Sequence, residues 1–254
     1  ALHGRPGEDG AIQEKLEAVG LTYNGSGKES SSITIDKFRT NEILMKHGFL
    51  AAKHCLITND DWKNNKEKVK QQLQNDYVYP LIAKPVDDGC SSAVKMIKSF
   101  EEFEAFATLI FRSSEAFDAK SAEILHIKDK EEFPQKTVLL VEELISKNGA
   151  KHFLEITGGM LTKLNAKGEV EYEVFEASEA LASGEILSLE EKFLAGQGQN
   201  ITPARYSRDE KERQLISNNV KETLGAAAKV LNIVGYCRID AFVRIFDVNH
   251  VEVI

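Results

Sequence analysis

Apolar positions along this chain change period several times, and each change marks an element. The opening Ala1-Leu2-His3-Gly4 reads as the end of a strand entering a glycine-rich turn, after which Ile12, Leu16 and Val19 fall on one helical face. Over residues 35–47, Phe38, Ile43 and Leu44 keep helical spacing, with Gly48 as the expected stop. Residues 77–84 and 93–97 read as strands flanking a polar hairpin at 86–92. Residues 100–111 are helical by pattern. Residues 113–136 are charge-rich with no clear period, and a solvated surface insertion, loop or weak helix, is expected there.

The second half reads differently. Residues 138–145 form a nearly continuous apolar run broken by Glu142-Glu143, followed by strand candidates at 152–158, 160–165 and 169–176, the last two joined by a turn at Ala166-Lys167-Gly168. An antiparallel sheet is expected. Residues 210–233 carry Leu215, Ile216, Val220, Leu224, Ala227 and Leu231 as the apolar stripe of a long amphipathic helix, leading through Gly235 to a strand at 237–246. The chain then turns at Asp247-Val248-Asn249-His250 into a further strand.

Composition narrows the class. The 254 residues, 42% hydrophobic and 28% charged, suffice for a sizeable core and more than one domain. No apolar run approaches the roughly 20 residues that span a bilayer, and the first residues lack a signal pattern, so neither membrane nor secretion is expected. A formal net charge of -8 opposes broad nucleic-acid binding and favours a small-molecule partner. Cys55, Cys90 and Cys237 are too widely spaced for a zinc knuckle and odd in number, which suits free thiols in a reducing cytoplasm.

Lys84 ends an apolar strand ahead of Pro85, where its ammonium would reach into a cleft. The small residues in Asp88-Gly89-Cys90-Ser91-Ser92-Ala93 let backbone N–H groups approach phosphate oxygens, though an ordinary turn has the same composition. Only one of Glu142 and Glu143 can face a given cleft, because strand neighbours point to opposite faces. Glu155, amid Phe153, Leu154 and Ile156, needs partners to be tolerated, or else sits at a rim. Arg238 and Asp240, two apart on a strand, share one face. They form either a same-face salt bridge or a division of labour, with arginine on developing negative charge and aspartate on a magnesium ion.

Taken in order, these segments resemble the D-alanine–D-alanine ligase family of the ATP-grasp enzymes. The family's His-Gly-x-x-Gly-Glu-Asp-Gly stretch is matched by His3 to Gly10, its Tyr-x-Gly-Ser-Gly by Tyr23, Gly25, Ser26 and Gly27, and its Asp-Lys pair by Asp36-Lys37. Thr202-Pro203-Ala204 and the Arg-x-Asp of Arg238 and Asp240 follow. The resemblance implies an α/β (α+β) ATP-grasp fold with nucleotide between two sheet-containing subdomains. It assigns 1–27 to the remnant of an N-terminal α/β substrate-binding domain, 28–145 to the central subdomain and 146–254 to an incomplete C-terminal one. Upstream sequence, with a substrate-binding glutamate, is expected to be missing.

The implied activity joins two D-alanine molecules with ATP and Mg2+ or Mn2+, for peptidoglycan precursor synthesis, in a cytoplasmic homodimer. The carboxylate of the first D-alanine takes the γ-phosphoryl group, the amine of the second attacks the acyl phosphate, and phosphate leaves. By the same resemblance Lys37 and Lys84 contact ATP, residues 89–93 fold over the phosphates, Glu142, Glu143, Leu144 and Ile145 line the adenine pocket, and Glu155 holds the ribose. His3, Gly4, Glu8 and Phe193 bind substrate. Ser91, Lys192 and Arg238 are catalytic, Lys192 from a closing loop that also meets nucleotide, and Asp240 holds the metal.

Three departures from the family pattern stand out. The upstream glutamate is absent, and Glu252 is followed by Val253 and Ile254 where a Glu-x-Asn metal pair is expected, which places Glu252 outside the site. Phe193 and Cys90 replace a tyrosine and a serine whose hydroxyls bond each other across the closed site. Their joint loss is self-consistent, since one hydroxyl left alone in a dry pocket is costly. It makes the second subsite more apolar and suggests D-lactate as an alternative acceptor, giving an ester. A carboxylate–amine ligase with another substrate and a non-catalytic ATP-binding module are the remaining alternatives.

Overall fold

The computed structural model describes residues 5–89, 92–128, 131–181 and 200–254. Gly10 lies at φ +91 just ahead of helix α1 (Ala11–Ala18), and a Cβ there would stand 2.5 Å from the Lys28 carbonyl oxygen, so the turn tolerates only glycine. Val19 falls beyond the helix and is 68% exposed, leaving Ile12 and Leu16 as its half-buried stripe. Helix α2 (Lys28–Thr34) had no apolar signal, because its inward groups are serines: buried Ser30 donates to the Leu231 carbonyl at 2.8 Å. The helix expected over 35–47 is α3 (Lys37–Lys46), and Gly48 follows it at φ +85.

Strand β1 (His54–Thr58), helix α4 (Asn59–Asn64) and helix α5 (Lys66–Asp76) fill a stretch that the pattern left unassigned. Thr58 caps α4 by accepting the Asp61 N–H at 3.0 Å. Strand β2 (Leu81–Pro85) begins only after Pro80, which has no N–H to give a ladder, and its hairpin partner β3 is Lys95–Ile97. Helix α6 (Phe100–Ile110) is capped by Ser99 and the short α7 (Ala119–Ile124) by Asp118. Strand β4 is Val138–Glu143.

The two strands expected at 152–158 and 160–165 are one, β5 (His152–Leu164), carried through Gly158-Gly159 by continuous pairing. Strands β6 (Val170–Val174), β7 (Ser178–Ala180) and β8 (Asn200–Ile201) precede helix α8 (Glu210–Val230), whose Asp209 cap accepts the Lys211 and Glu212 N–H groups. Strands β9 (Tyr236–Asp247) and β10 (His250–Val253) close the described chain. Among the described residues no helix is long and apolar enough to cross a membrane.

The chain forms two compact units, one of Asp36–Phe38 and Ala52–Leu144, the other of Ala1–Ile35, Arg39–Ala51 and Ile145–Ile254. In the first, the antiparallel sheet has the order β1-β4-β2-β3; β2 alternates in burial, whereas the central β4 is buried on both faces. Leu81, Ala83, Leu139, Val141 and Ile57 turn to one face and pack on Val69 and Leu73 of α5 and Phe103 and Phe106 of α6. Lys84 and Glu142 occupy the other face. The 113–136 segment is no solvated insertion: Leu125 and Phe133 are buried in this core, the Phe133 ring 5.2 Å from that of Phe106. Two anchors without a period are invisible to pattern reading.

In the second unit the sheet runs β10-β9-β5-β7-β8, with β6 also on β5. Leu154, Ile156, Ala241, Val243 and Ile245 pack against Ile216, Val220 and Leu224 of α8. Gly158 lets Leu224 approach the strand closely: a Cβ would stand 2.5 Å from Leu224 Cδ1, and that methyl would have to shift. Glu179, buried on β7, is held by Arg205 through Nε at 2.8 Å and Nη2 at 2.7 Å. The opposite sheet face carries Glu155, Asp240 and Arg238.

Candidate functional site

In the first unit three expected residues meet. Lys84 on β2 and Glu142 on β4 lie diagonally across the ladder, Ile82 facing Glu142 and Lys84 facing Leu140, and the long lysine side chain closes the gap with Nζ at 2.5 Å from Glu142 Oε2. Both are mostly withdrawn from solvent, with side-chain exposures of 18% and 10%. Lys37, at the start of α3, donates to the Pro85 carbonyl at 3.2 Å and to the Asp88 carbonyl, and its own N–H reaches the Val86 carbonyl at 2.9 Å. The Asp36-Lys37 pair of the sequence is thus tied to the strand that ends in Lys84 and Pro85.

Burial pushes the Lys37 pKa from 10.5 down to about 8, and the nearby Lys84 charge pushes the same way. Two ammonium groups in one half-buried corner attract an anion, with the Asp88, Asp87 and Glu142 carboxylates offsetting part of their charge. Lys136, which the sequence reading did not single out, lies nearby: its Nζ is 2.9 Å from Asp87 Oδ1 and 2.8 Å from Asp88 Oδ2. Burial opposes its charge, but the hydrogen bonds it donates to Asp88 and Asp87 leave its pKa raised. It neutralises two acids beside Lys37. Only a three-dimensional neighbourhood reveals it, because Lys136 follows a segment without periodicity.

The strand alternation separates the glutamates as expected. Glu142 points to the lysines, whereas Glu143 is exposed and its Oε1 accepts the Lys53 N–H at 2.9 Å. Leu144 and Ile145 follow, both half-buried, at the point where the chain passes from one unit to the other.

In the second unit Glu155, Asp240 and Arg238 share one sheet face. Register places Thr157 opposite Asp240, Gly159 opposite Arg238 and Glu155 opposite Phe242. Arg238 engages Asp240 twice, Nε to Oδ1 at 3.2 Å and Nη2 to Oδ2 at 3.3 Å, and the Thr157 hydroxyl donates to Oδ1 at 2.9 Å. The same-face salt bridge is therefore formed. Beside it Phe153 and Phe242 stack at 5.5 Å. Glu252 joins this face on β10, 3.1 Å from Arg244, whose Nε donates to the Ser146 carbonyl at 2.6 Å. Glu8 sits half-buried in the turn ahead of α1. His3, Gly4, Cys90, Ser91, Lys192 and Phe193 lie outside the described residues.

A family model described as "D-ala D-ala ligase C-terminus" matches residues 43–117. A D-alanine–D-alanine ligase of Leptospira interrogans is 31% identical over 242 residues, covering 94% of this chain and 58% of that protein. Over nearly its whole length the chain is thus similar to a D-alanine–D-alanine ligase. A second such ligase, from Caldicellulosiruptor bescii, is 26% identical over 95% of this chain and 56% of its own length. The chain thus spans a little over half the length of the curated relatives it matches.

Two solved structures carry the same ATP-grasp fold, each with a TM-score of 0.63. The VanG D-Ala:D-Ser ligase of Enterococcus faecalis is 23% identical, covering 95% of this chain and 57% of that one. The D-alanine–D-alanine ligase of Coxiella burnetii is 22% identical, covering 99% and 55%. The expectation of family and fold is borne out.

Ligases of this family use ATP and a divalent metal in general. The residues present fit both groups. Among the described residues no cluster of three or more His, Cys, Asp or Glu could hold a metal by itself. In one unit a hard carboxylate such as Asp240 suits a magnesium ion. In the other, Lys37 and Lys84 suit phosphates. If a nucleotide occupies this corner, it must raise the Lys37 pKa, so binding at alkaline pH takes up a proton. The sign is fixed: below about pH 7 both states are charged and affinity is flat, and as pH rises through 8 the free protein loses the proton that binding needs. ADP affinity is expected to fall roughly tenfold from about pH 7 to about pH 9, and K37R, charged throughout, to abolish the fall. Calorimetry in buffers of different ionisation enthalpy measures the uptake; no uptake and a flat profile would remove Lys37 from the site.

Proposed function

We propose that this chain carries the nucleotide- and metal-binding part of an ATP-dependent ligase that joins two D-alanine molecules through an acyl phosphate. The reading rests above all on Lys37 and Lys84. Two mostly buried ammonium groups, one with its pKa lowered to about 8, form a corner whose electrostatics favour a polyanion. The family resemblance and the order of motifs support the same reading.

In this scheme Lys37 and Lys84 hold phosphates, and Lys136 keeps Asp87 and Asp88 from repelling them. Glu142, Leu144 and Ile145 line the adenine side; Glu143 leaves that set, because its carboxylate is taken up by the Lys53 N–H on the other face. Glu155 binds the ribose and Asp240 takes Mg2+ or Mn2+, which would supply charge neutralisation of the phosphates. Arg238 meets negative charge developing on the acyl carbon's oxygens, and Glu8, with His3 and Gly4, belongs to the first D-alanine. Such chemistry needs positioning and charge and no side-chain nucleophile. Use of ATP and of peptidoglycan precursors supports a cytoplasmic protein, and the resemblance to the family supports a homodimer.

Phosphate release with ATP, Mg2+ and D-alanine, on the full-length protein, tests the proposal. D-alanine-dependent release with a dipeptide product supports it. ADP binding without turnover on any acceptor favours the non-catalytic module. Phe193 and Cys90 make D-lactate, beside D-serine, the acceptor to run in parallel, and an ester product would move the assignment to a depsipeptide ligase.

A further inference from the structure

Asp240 is already engaged by a cation of its own chain. Its Oδ1 accepts the Thr157 hydroxyl at 2.9 Å and its Oδ2 accepts Arg238 Nη2 at 3.3 Å, with Arg238 Nε also 3.2 Å from Oδ1. These contacts differ in kind. Thr157 is neutral, lies on the adjacent strand in direct register with Asp240, and can keep its bond when a divalent ion reaches the same carboxylate. Arg238 carries a full charge and lies on the same strand, two residues away. A guanidinium and a divalent ion on one carboxylate repel each other at a separation of a few ångströms. The side that yields is the arginine, whose side chain is 53% exposed and whose pairing is that of a surface salt bridge, cheap to break.

We infer that Arg238 is the resting counter-ion of Asp240 and that entry of the divalent cation displaces it, so that the guanidinium is released toward substrate only once the cation is in place. The inference rests on the proposed function for Asp240 as metal ligand and adds an order of events to it. Thr157 acts as a positioning residue, holding the carboxylate while its charged partner leaves. The sheet supports this division: β5 fixes Thr157 through the ladder, whereas the Arg238 side chain is free to swing over the open face. By linkage the coupling works both ways, and whatever draws Arg238 away tightens the cation.

Mn2+ titration of the protein with saturating ADP, followed by the electron paramagnetic resonance of free Mn2+, tests it. R238M removes the competitor and is expected to tighten Mn2+ roughly threefold to tenfold, with R238K, which keeps one charge without the two-point contact, in between. T157V is expected to weaken Mn2+ severalfold. Independently, the Arg238 Nε–H resonance is expected to exchange faster with solvent on adding Mg2+. Equal or weaker Mn2+ binding by R238M overturns the inference while leaving Asp240 as a ligand. No Mn2+ binding by the parent protein overturns the reading on which it rests as well.

Discussion

Asp240→Asn is expected to lower D-alanine-dependent turnover by two to three orders of magnitude while hardly moving the melting temperature. The amide keeps the size of the carboxylate and can still accept the Thr157 hydroxyl. What it loses is charge, and a ligand that neutralises phosphate is worth several kcal/mol at the transition state, about 1.4 kcal/mol for each factor of ten. Little stability goes with it, because the Arg238–Asp240 pair is half-exposed, with side-chain exposures of 53% and 34%, and such pairs contribute about 0–1 kcal/mol. Initial rates and thermal melts on the same preparations decide the matter. Less than a tenfold loss in turnover would mean that the charge of Asp240 is not used.

Lys84→Met is expected to act on stability and on the nucleotide together. Its Nζ lies 2.5 Å from Glu142 Oε2, and removing it takes the close cation from a carboxylate on a central strand with only 8% residual exposure. Breaking a fully buried pair from one side costs about 3–5 kcal/mol; with the lysine side chain 18% exposed, about 2–3 kcal/mol is expected, or roughly 5–10 °C in melting temperature. Lys84→Met combined with Glu142→Leu should recover most of that stability without recovering ADP binding, which separates the two roles. Lys84 is also the second cause of the lowered Lys37 pKa, so the alkaline fall in ADP affinity should move to higher pH. A single variant that melts like the parent would show the pair to be solvated.

Much of this architecture is legible along the chain where burial follows a period. The stripe Ile216, Val220, Leu224 forecasts α8, and the apolar run ending in Lys84 forecasts β2. The pattern fails where burial is polar or isolated. Helix α2 turns serines inward, Leu125 and Phe133 enter the core from a charged segment, and Gly158-Gly159 reads as a break although the ladder runs through it and Leu224 of α8 packs closely on Gly158. The site shows the same division. Single residues such as Lys37, Lys84, Arg238 and Asp240 stand out by motif, whereas Lys136 and Thr157, which work through another side chain, do not.

The sequence by itself determined the family resemblance, the order of its motifs and the residue types available for holding phosphate and metal, because those follow from local chemistry and spacing. Tertiary structure alone decided the partners: that Lys84 closes on Glu142 and not Glu143, that Lys136 quiets Asp87 and Asp88, and that Asp240 rests between Thr157 and Arg238. The reason is physical. A side chain's charge state and hydrogen-bond partners are set by whatever lies within a few ångströms, and in a sheet those neighbours come from strands far apart in the chain, as with Thr157 and Asp240, 83 residues apart.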